Sequence, residues 1–143
     1  MRSNYFYFRR ISTRWKDNDI YGHINNVEYY SFFDTVINLW LLETGELDIR
    51  DGQTIGVCAE SKCRYHASLA FPEEVDTGLR VVHIGRTSVR YEVGLFAADS
   101  SQLAAEGSFV HVFVDKKSRE PAPFSDKLRA AFQSIYLEVS QET

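Results

Sequence analysis

Short polar side chains crowd residues 14–30, which read RWKDNDIYGHINNVEYY, directly before a long apolar segment. Asp19 and His23 could do chemistry here, because a carboxylate can act as base or nucleophile on a carbonyl and an imidazole can orient water or transfer a proton. Asn26 follows at the start of a predicted helix, where free N–H groups and the helix dipole favour an oxygen that becomes negative. The spacing therefore allows a site for chemistry at a carbonyl.

Each of these residues also has a purely structural explanation. An aspartate such as Asp19 commonly bonds its own backbone in a turn, and from composition and spacing alone that role is the commoner one. A single histidine is likewise more often a satisfied structural residue than a catalytic one. Asn25 or Asn26 is a good helix N-cap, and with Asn25 as the cap Glu28 falls at the capping-box position.

The segments around this loop alternate between strand and helix patterns. Residues 27–44 carry apolar side chains at helical spacing and are followed by Gly45, a typical helix end. Four further strand patterns and a short closing helix, capped by Ser125, come after a predicted loop at 46–53. The predicted strands are residues 5–13, 55–66, 74–85, 87–97 and 103–115, and the closing helix spans about 124–138.

The order of strand, long helix, four strands and helix predicts an α+β fold. Consecutive strands favour an antiparallel sheet, and one long apolar helix implies that a sheet of about five strands curls around it. We expect a single domain over residues 1–143. Such a sheet has edges that must be covered, and a homodimer that continues the sheet would cover one of them.

Composition narrows the possible functions. The chain has 143 residues, is 44% hydrophobic and carries a formal net charge of -4, which gives no sign of a nucleic-acid surface. No stretch approaches the ~20 apolar residues of a membrane span, so we expect a cytoplasmic protein without a membrane partner. Cys58 and Cys63 lie five residues apart on a predicted strand, which predicts opposite faces, buried apolar roles and no metal site.

Two motifs resemble one family of enzymes. RWKDNDIYGHINNVEYYSFF is similar to the signature loop and helix start of hotdog-fold acyl thioesterases of the 4-hydroxybenzoyl-CoA thioesterase-like group, with D-x-D, then Gly-His-Val/Ile-Asn-Asn, then an aromatic residue. HIGRTSVRYE is similar to the Gly-Arg-x-Ser hairpin of the same family. The loop also resembles that of plant acyl-carrier-protein thioesterases, and the resemblance covers almost the whole chain.

The resemblance implies a hotdog fold, dimers with ten-stranded sheets that can pair into homotetramers, and hydrolysis of an acyl-CoA thioester at the dimer interface. Asp19 would be the catalytic carboxylate, the Asn26 N–H would polarise the carbonyl, and His23 would assist. No metal or cofactor is implied beyond the coenzyme A of the substrate. The expected substrate-binding residues are Tyr21, Gly22, Asn25, Tyr29, Gly85, Arg86, Thr87 and Ser88. Glu60, His66 and Ser68 are further candidates that a partner subunit could supply.

Other functions stay open at this point. The substrate could be an acyl-carrier-protein thioester, although an acidic chain favours coenzyme A because the carrier protein is itself acidic. A non-catalytic acyl-binding domain is a second alternative, and the presence of both Asp19 and His23 argues against it. A hotdog dehydratase or hydratase would need a different acid/base pairing on the helix. The ten Phe and eight Tyr fit either an aryl or an aliphatic acyl group.

Overall fold

The computed structural model describes residues 2–45 and 52–138; most of the predicted loop at 46–53 lies outside them. Its five strands form one antiparallel sheet in the order β1-β3-β4-β5-β2, and a long helix packs against one face. The elements are β1 (Tyr7–Ser12), α1 (Asn26–Thr44), β2 (Thr54–Tyr65), β3 (Glu74–Ile84), β4 (Ser88–Ala97), β5 (Leu103–Asp115) and α2 (Asp126–Ser134). The expected α+β hotdog fold is thus confirmed.

Helix α1 forms as its sequence predicts. The apolar side chains that recur at helical spacing are the buried ones: Tyr29, Phe32, Phe33, Val36, Ile37, Trp40 and Leu41. Gly45 ends the helix with a left-handed φ of 75°. On the sheet, a Cβ at Gly107 would lie 2.4 Å from the Phe33 ring, so the absence of a side chain there lets the helix approach β5.

Helix α2 is shorter than predicted. Ser125 caps it, with its hydroxyl accepting from the Leu128 N–H at 3.1 Å, but the helix ends at Ser134 instead of continuing to 138. The following backbone pairs with β3, where the Val81 N–H donates to the Ile135 carbonyl and the Leu137 N–H donates to the Val81 carbonyl. This pairing replaces the helical hydrogen bonds that residues 135–138 would otherwise make.

Strand β2 is an edge strand and is more exposed than its alternating pattern suggested. A β-bulge between Cys58 and Glu60 shifts the register, so Cys58 pairs with His111 and Cys63 with Gly107. Because one extra residue reverses the alternation, the two cysteines share a face, and the prediction of opposite faces is wrong. Cys58 is also exposed and Cys63 half-buried, so neither is a fully buried apolar residue.

A polar group is enclosed at the end of the sheet near the β3–β4 hairpin. His111 is 5% exposed, and its Nδ1 lies 3.2 Å from the Tyr91 hydroxyl. Phe109 and Phe113 meet the imidazole edge-on. Burial lowers the pKa of His111 to about 4, so the imidazole is neutral near pH 7.

No helix in the described parts of the chain is long and apolar enough to span a membrane.

Candidate functional site

The loop between β1 and α1 is built around a buried carboxylate. Asp17 has a fully buried side chain that accepts from the Arg14 backbone N–H at 2.7 Å and from the Arg14 guanidinium at 3.0 Å. The Asp17 carbonyl accepts from the Asn25 N–H at 2.8 Å, which ties this turn to the start of α1. The first aspartate of the D-x-D motif therefore shapes the loop, and its oxygens are occupied within it.

The second aspartate forms a turn and keeps one oxygen free. Oδ1 of Asp19 accepts from the backbone N–H groups of Tyr21 at 2.8 Å and of His23 at 3.3 Å. Gly22, with φ of 82°, makes the tight return possible. In the part of the chain that the structure describes, no donor contacts Oδ2 of Asp19. The turn-forming explanation is thus correct, and it leaves a fixed, half-buried carboxylate with one oxygen available.

This loop and the segment after β2 are joined by hydrogen bonds. The Ile24 N–H donates to the Leu69 carbonyl at 2.8 Å, and the Phe71 N–H donates to the Asn18 side-chain oxygen at 3.0 Å. The two segments and the first turn of α1 border an open cleft of about 540 Å³. The cleft is lined by Asp19, His23, Ile24, Asn26, Tyr29, Tyr65, His66, Ala67 and Ser68.

The start of α1 offers a hydrogen-bond donor to this cleft. The Asn25 side chain caps the helix by accepting from the Val27 N–H at 3.1 Å, as predicted. Within residues 2–45 and 52–138, no acceptor contacts the Asn26 N–H. Glu28 does not complete a capping box, since the Asn25 N–H is already bound to Asp17; its carboxylate lies 3.7 Å from the Arg14 guanidinium.

Two tyrosines form an aromatic corner of the cleft. The rings of Tyr29 and Tyr65 meet edge-on, with centroids 5.0 Å apart. The Tyr65 hydroxyl donates to the Asn26 carbonyl at 3.4 Å, and burial raises the pKa of Tyr29. Tyr65 has no counterpart among the residues predicted from the sequence. The signal that could have found it is its place near the end of the strand predicted at 55–66, where β2 ends in the structure.

Outside the β3–β4 hairpin, the remaining predicted residues fall into three groups. Tyr21, Gly22 and Asn25 belong to the same loop and helix cap but do not line the cleft, and Tyr21 is 78% exposed. His66 and Ser68, which a partner subunit could also have supplied, line the cleft of their own chain. Glu60 does not line it and lies 3.5 Å from the Arg90 guanidinium.

The hairpin residues Gly85, Arg86, Thr87 and Ser88 lie at the other end of the sheet. Ser88 pairs with Val112 on β5, whereas Tyr65, at the cleft, pairs with Ala105. Seven residues of strand separate these positions on β5, roughly 24 Å. One subunit therefore does not bring its hairpin to its own cleft.

The hairpin carries polar groups of its own. The Gly85 N–H donates to the Ser88 carbonyl at 2.8 Å, closing the turn. The Gly85 carbonyl accepts from the guanidinium of Arg129 on α2 at 3.1 Å. Arg129 thus adds a second guanidinium to the turn that carries the exposed Arg86. Sequence reasoning missed it because the two arginines are far apart in the chain.

Among the described residues, no group of three or more His, Cys, Asp or Glu side chains is placed to share a metal ion.

Comparison with known proteins gives one family and several similar structures. Residues 13–132 match the model of the thioesterase-like superfamily. The PA5185 protein from Pseudomonas aeruginosa strain PAO1 is 47% identical with a TM-score of 0.91, over 99% of this chain and 97% of that one. The PA2801 protein from Pseudomonas aeruginosa is 26% identical with a TM-score of 0.81, over 87% of this chain and 95% of that one. A 1,4-dihydroxy-2-naphthoyl-CoA thioesterase from Synechocystis shares the fold with a TM-score of 0.80. It is 15% identical over 90% of this chain and 96% of that one.

Proposed function

Because the chain belongs to the thioesterase-like superfamily, we propose that it hydrolyses an acyl-CoA thioester to the free acid and coenzyme A. The superfamily and the fold support thioester hydrolysis in general. One observation carries the finer assignment: the free oxygen of a fixed carboxylate, Asp19, and the unpaired N–H of Asn26 belong to residues that line the same cleft. A base or nucleophile and an oxyanion donor are the two groups that acyl transfer needs.

The proposed reaction begins with the thioester carbonyl oxygen accepting from the Asn26 N–H. Asp19 either takes a proton from water, whose oxygen then adds to the carbonyl carbon, or adds to that carbon itself. In the second route, loss of the thiolate leaves a mixed anhydride on Asp19, which water hydrolyses to the free acid and the Asp19 carboxylate. Negative charge on the carbonyl oxygen is stabilised by the N–H and by the positive end of the α1 dipole. The C–S bond then breaks and the sulfur leaves as a thiolate. His23, held beside Asp19 by the turn, would orient the water.

We assign the nucleotide end of coenzyme A to the hairpin of a second subunit. Strand β2 has an unpaired edge and carries the exposed apolar side chain of Val57. If two β2 strands pair antiparallel about a two-fold axis, the Thr54 end of one lies beside the Tyr65 end of the other. The partner's hairpin would then lie at the cleft end, where Arg86 and Arg129 could bind phosphates.

The function is tested by thiol release from a panel of acyl-CoA esters with short, medium, long and aryl acyl groups. We expect turnover of at least one ester and a loss of roughly 100- to 1000-fold in kcat for Asn26→Pro. Proline removes the N–H yet suits the first helical position, and Asn25 already has the extended backbone that a following proline requires.

The matched control is Asn26→Ala, which removes the side chain but keeps the N–H. It should retain wild-type kcat within a few-fold. Equal losses in the alanine and proline variants would contradict the oxyanion role. Turnover of acyl-carrier-protein esters alone would replace coenzyme A as the carrier, and no turnover of either class would favour an acyl-binding domain.

The assembly is tested by Val57→Lys. A charge on an exposed edge strand opposes pairing between sheets, so we expect a monomer by analytical ultracentrifugation at concentrations where the wild type is a dimer or larger. Gln102→Lys adds the same charge in the exposed β4–β5 turn and should leave assembly unchanged. A wild type that is monomeric would exclude the shared site.

A further inference from the structure

Tyr29 is a buried tyrosine that lines the cleft. It is only 3% exposed, and its ring meets the rings of Tyr65 and Phe32 edge-on, with centroids 5.0 Å and 6.3 Å away. These contacts hold the ring in one place. Over the described residues, no acceptor takes the proton of the Tyr29 hydroxyl. A rigid side chain at the cleft therefore carries a donor that the protein itself does not use.

Helix geometry brings Tyr29 to the same end of α1 as the Asn26 N–H. The two residues are three apart at the start of the helix, so they share one side of its first turn. A helical side chain leans towards the N-terminus, which carries the Tyr29 ring back over the turn that begins at Asn26. Tyr65 spans both groups, since its hydroxyl donates to the Asn26 carbonyl at 3.4 Å while its ring packs on Tyr29.

The electrostatic surroundings keep the Tyr29 phenol neutral. Burial raises its pKa, the Leu69 backbone N–H offsets part of that rise, and the Asp19 carboxylate adds to it. Because an ordinary phenol already titrates at about pH 10, Tyr29 keeps its proton near neutral pH and is a hydrogen-bond donor. Among the described residues, no direct hydrogen bond joins Tyr29 to Asp19, so the O–H remains available to a ligand between them.

We propose that the Tyr29 hydroxyl is a second donor to the thioester carbonyl oxygen, beside the Asn26 N–H. The inference rests on the proposed thioester hydrolysis. As the nucleophile adds to the carbonyl carbon, one electron pair of the C=O bond moves to the oxygen, which becomes negative. Two fixed donors stabilise that charge better than one. The proton stays on Tyr29 throughout, and the C=O bond re-forms as the C–S bond breaks and the thiolate leaves.

The attacking water is the other acceptor that the Tyr29 hydroxyl could meet. That water must keep a lone pair aimed at the carbonyl carbon while it donates a proton to Asp19. A hydrogen bond into its lone pairs would lower its nucleophilicity, whereas a hydrogen bond to the carbonyl oxygen strengthens as charge develops there. The carbonyl oxygen is therefore the acceptor that gains from this donor.

The kinetic test is Tyr29→Phe, which removes the hydroxyl and keeps the ring against Tyr65. With the best acyl-CoA ester of the panel, we expect kcat to fall roughly 100-fold and KM to rise only a few-fold, because the interaction strengthens in the transition state. The matched control is Tyr30→Phe, the same change one residue later. Tyr30 packs on Phe33 and does not line the cleft, so its variant should keep wild-type kcat.

Two unreactive analogues of the same acyl-CoA separate a contact with the carbonyl oxygen from packing. In the ketone analogue, CH₂ replaces the thioester sulfur and the carbonyl is kept. In the thioether analogue, CH₂ replaces the carbonyl and the sulfur is kept. For Tyr29→Phe we expect the Kd of the ketone to rise roughly 3- to 10-fold, the value of one hydrogen bond, and the Kd of the thioether to stay at the wild-type value.

Wild-type kcat in Tyr29→Phe, or equal weakening of both analogues, would overturn the second-donor role while leaving thioester hydrolysis intact. A loss of kcat with unchanged binding of the ketone would assign the hydroxyl to the water and would overturn it as well. A wild type that turns over no ester would overturn the proposed function and this inference with it.

Discussion

The histidines at the two ends of the sheet differ in burial and in hydrogen bonding. Near the hairpin, aromatic side chains close around His111, and its Nδ1 is paired with the Tyr91 hydroxyl. At the cleft, His23 and His66 are exposed, and their rings are not enclosed by the core. A polar group satisfied inside the core adds to stability, whereas one with unused hydrogen-bonding capacity can serve a ligand.

The same contrast separates two aspartates that are two residues apart. Asp17 is buried and binds Arg14, while Asp19 is half-buried and keeps Oδ2 free. The D-x-D motif thus combines one carboxylate that builds the loop with one that the loop presents. Substitutions at the enclosed positions should change stability, and those at the cleft should change activity.

The largest expected effect on stability is a pH dependence from His111. Its pKa is lowered from 6.5 to about 4, so the unfolded chain binds a proton that the folded protein does not. The stability that the neutral imidazole contributes is fully present above pH 6.5 and is lost as the pH falls towards 4, by about 3 kcal/mol at most. Denaturant unfolding of wild type and His111→Phe across this range should show a flatter pH dependence for the variant.

The control for this prediction is His83→Gln, because His83 is exposed. It should keep the wild-type slope of unfolding free energy against pH. Identical slopes in wild type and His111→Phe would mean that other groups cause the acid sensitivity. The absolute stability of His111→Phe is a poor measure, since the Tyr91 hydroxyl loses its partner there.

A smaller effect is expected for Asp17→Ala, about 2 kcal/mol of unfolding free energy. The Arg14 backbone N–H loses its acceptor, while the exposed guanidinium can return to water. Glu28→Ala is the matched control, because it removes the other carboxylate near Arg14 from a less buried position and should cost under about 0.5 kcal/mol. Equal losses in the two variants would remove the distinction between an enclosed and an accessible carboxylate.

The smallest effect is expected at the helix cap. Asn25→Ala should lose about 1 kcal/mol, because the Val27 N–H loses its acceptor. Asn25→Ser keeps a capping oxygen and should lose little. Thermal or denaturant unfolding measures both. A serine variant as unstable as the alanine variant would show that Asn25 acts by some means other than capping.

The sequence predicts most of the fold because helix and strand periodicities are local. The buried face of α1 follows its apolar spacing, and Ser125 and Gly45 mark helix boundaries by their own chemistry. Two predictions, the faces of the cysteines and the end of α2, were wrong for reasons that the local pattern does not contain. The bulge at Cys58 inserts one residue that alternation cannot reveal, and α2 ends early because residues 135–137 pair with Val81, a contact distant in sequence.

The candidate site likewise combines residues that a local motif predicts with a residue that only the fold brings to them. Asp19, His23 and Asn26 lie within eight residues of each other, so a local motif was enough to select them. His66 joins them only because Ile24 pairs with Leu69, which brings a segment more than forty residues away to the loop.

The most direct test of the central claim is the kcat/KM of Asp19→Asn with the best ester of the panel, measured beside its unfolding free energy. An asparagine oxygen can still accept from Tyr21 and His23, so the turn and the stability should be kept. We predict a loss of about 100-fold or more in kcat/KM with unchanged stability. Wild-type kcat/KM in a stable Asp19→Asn protein would contradict the account.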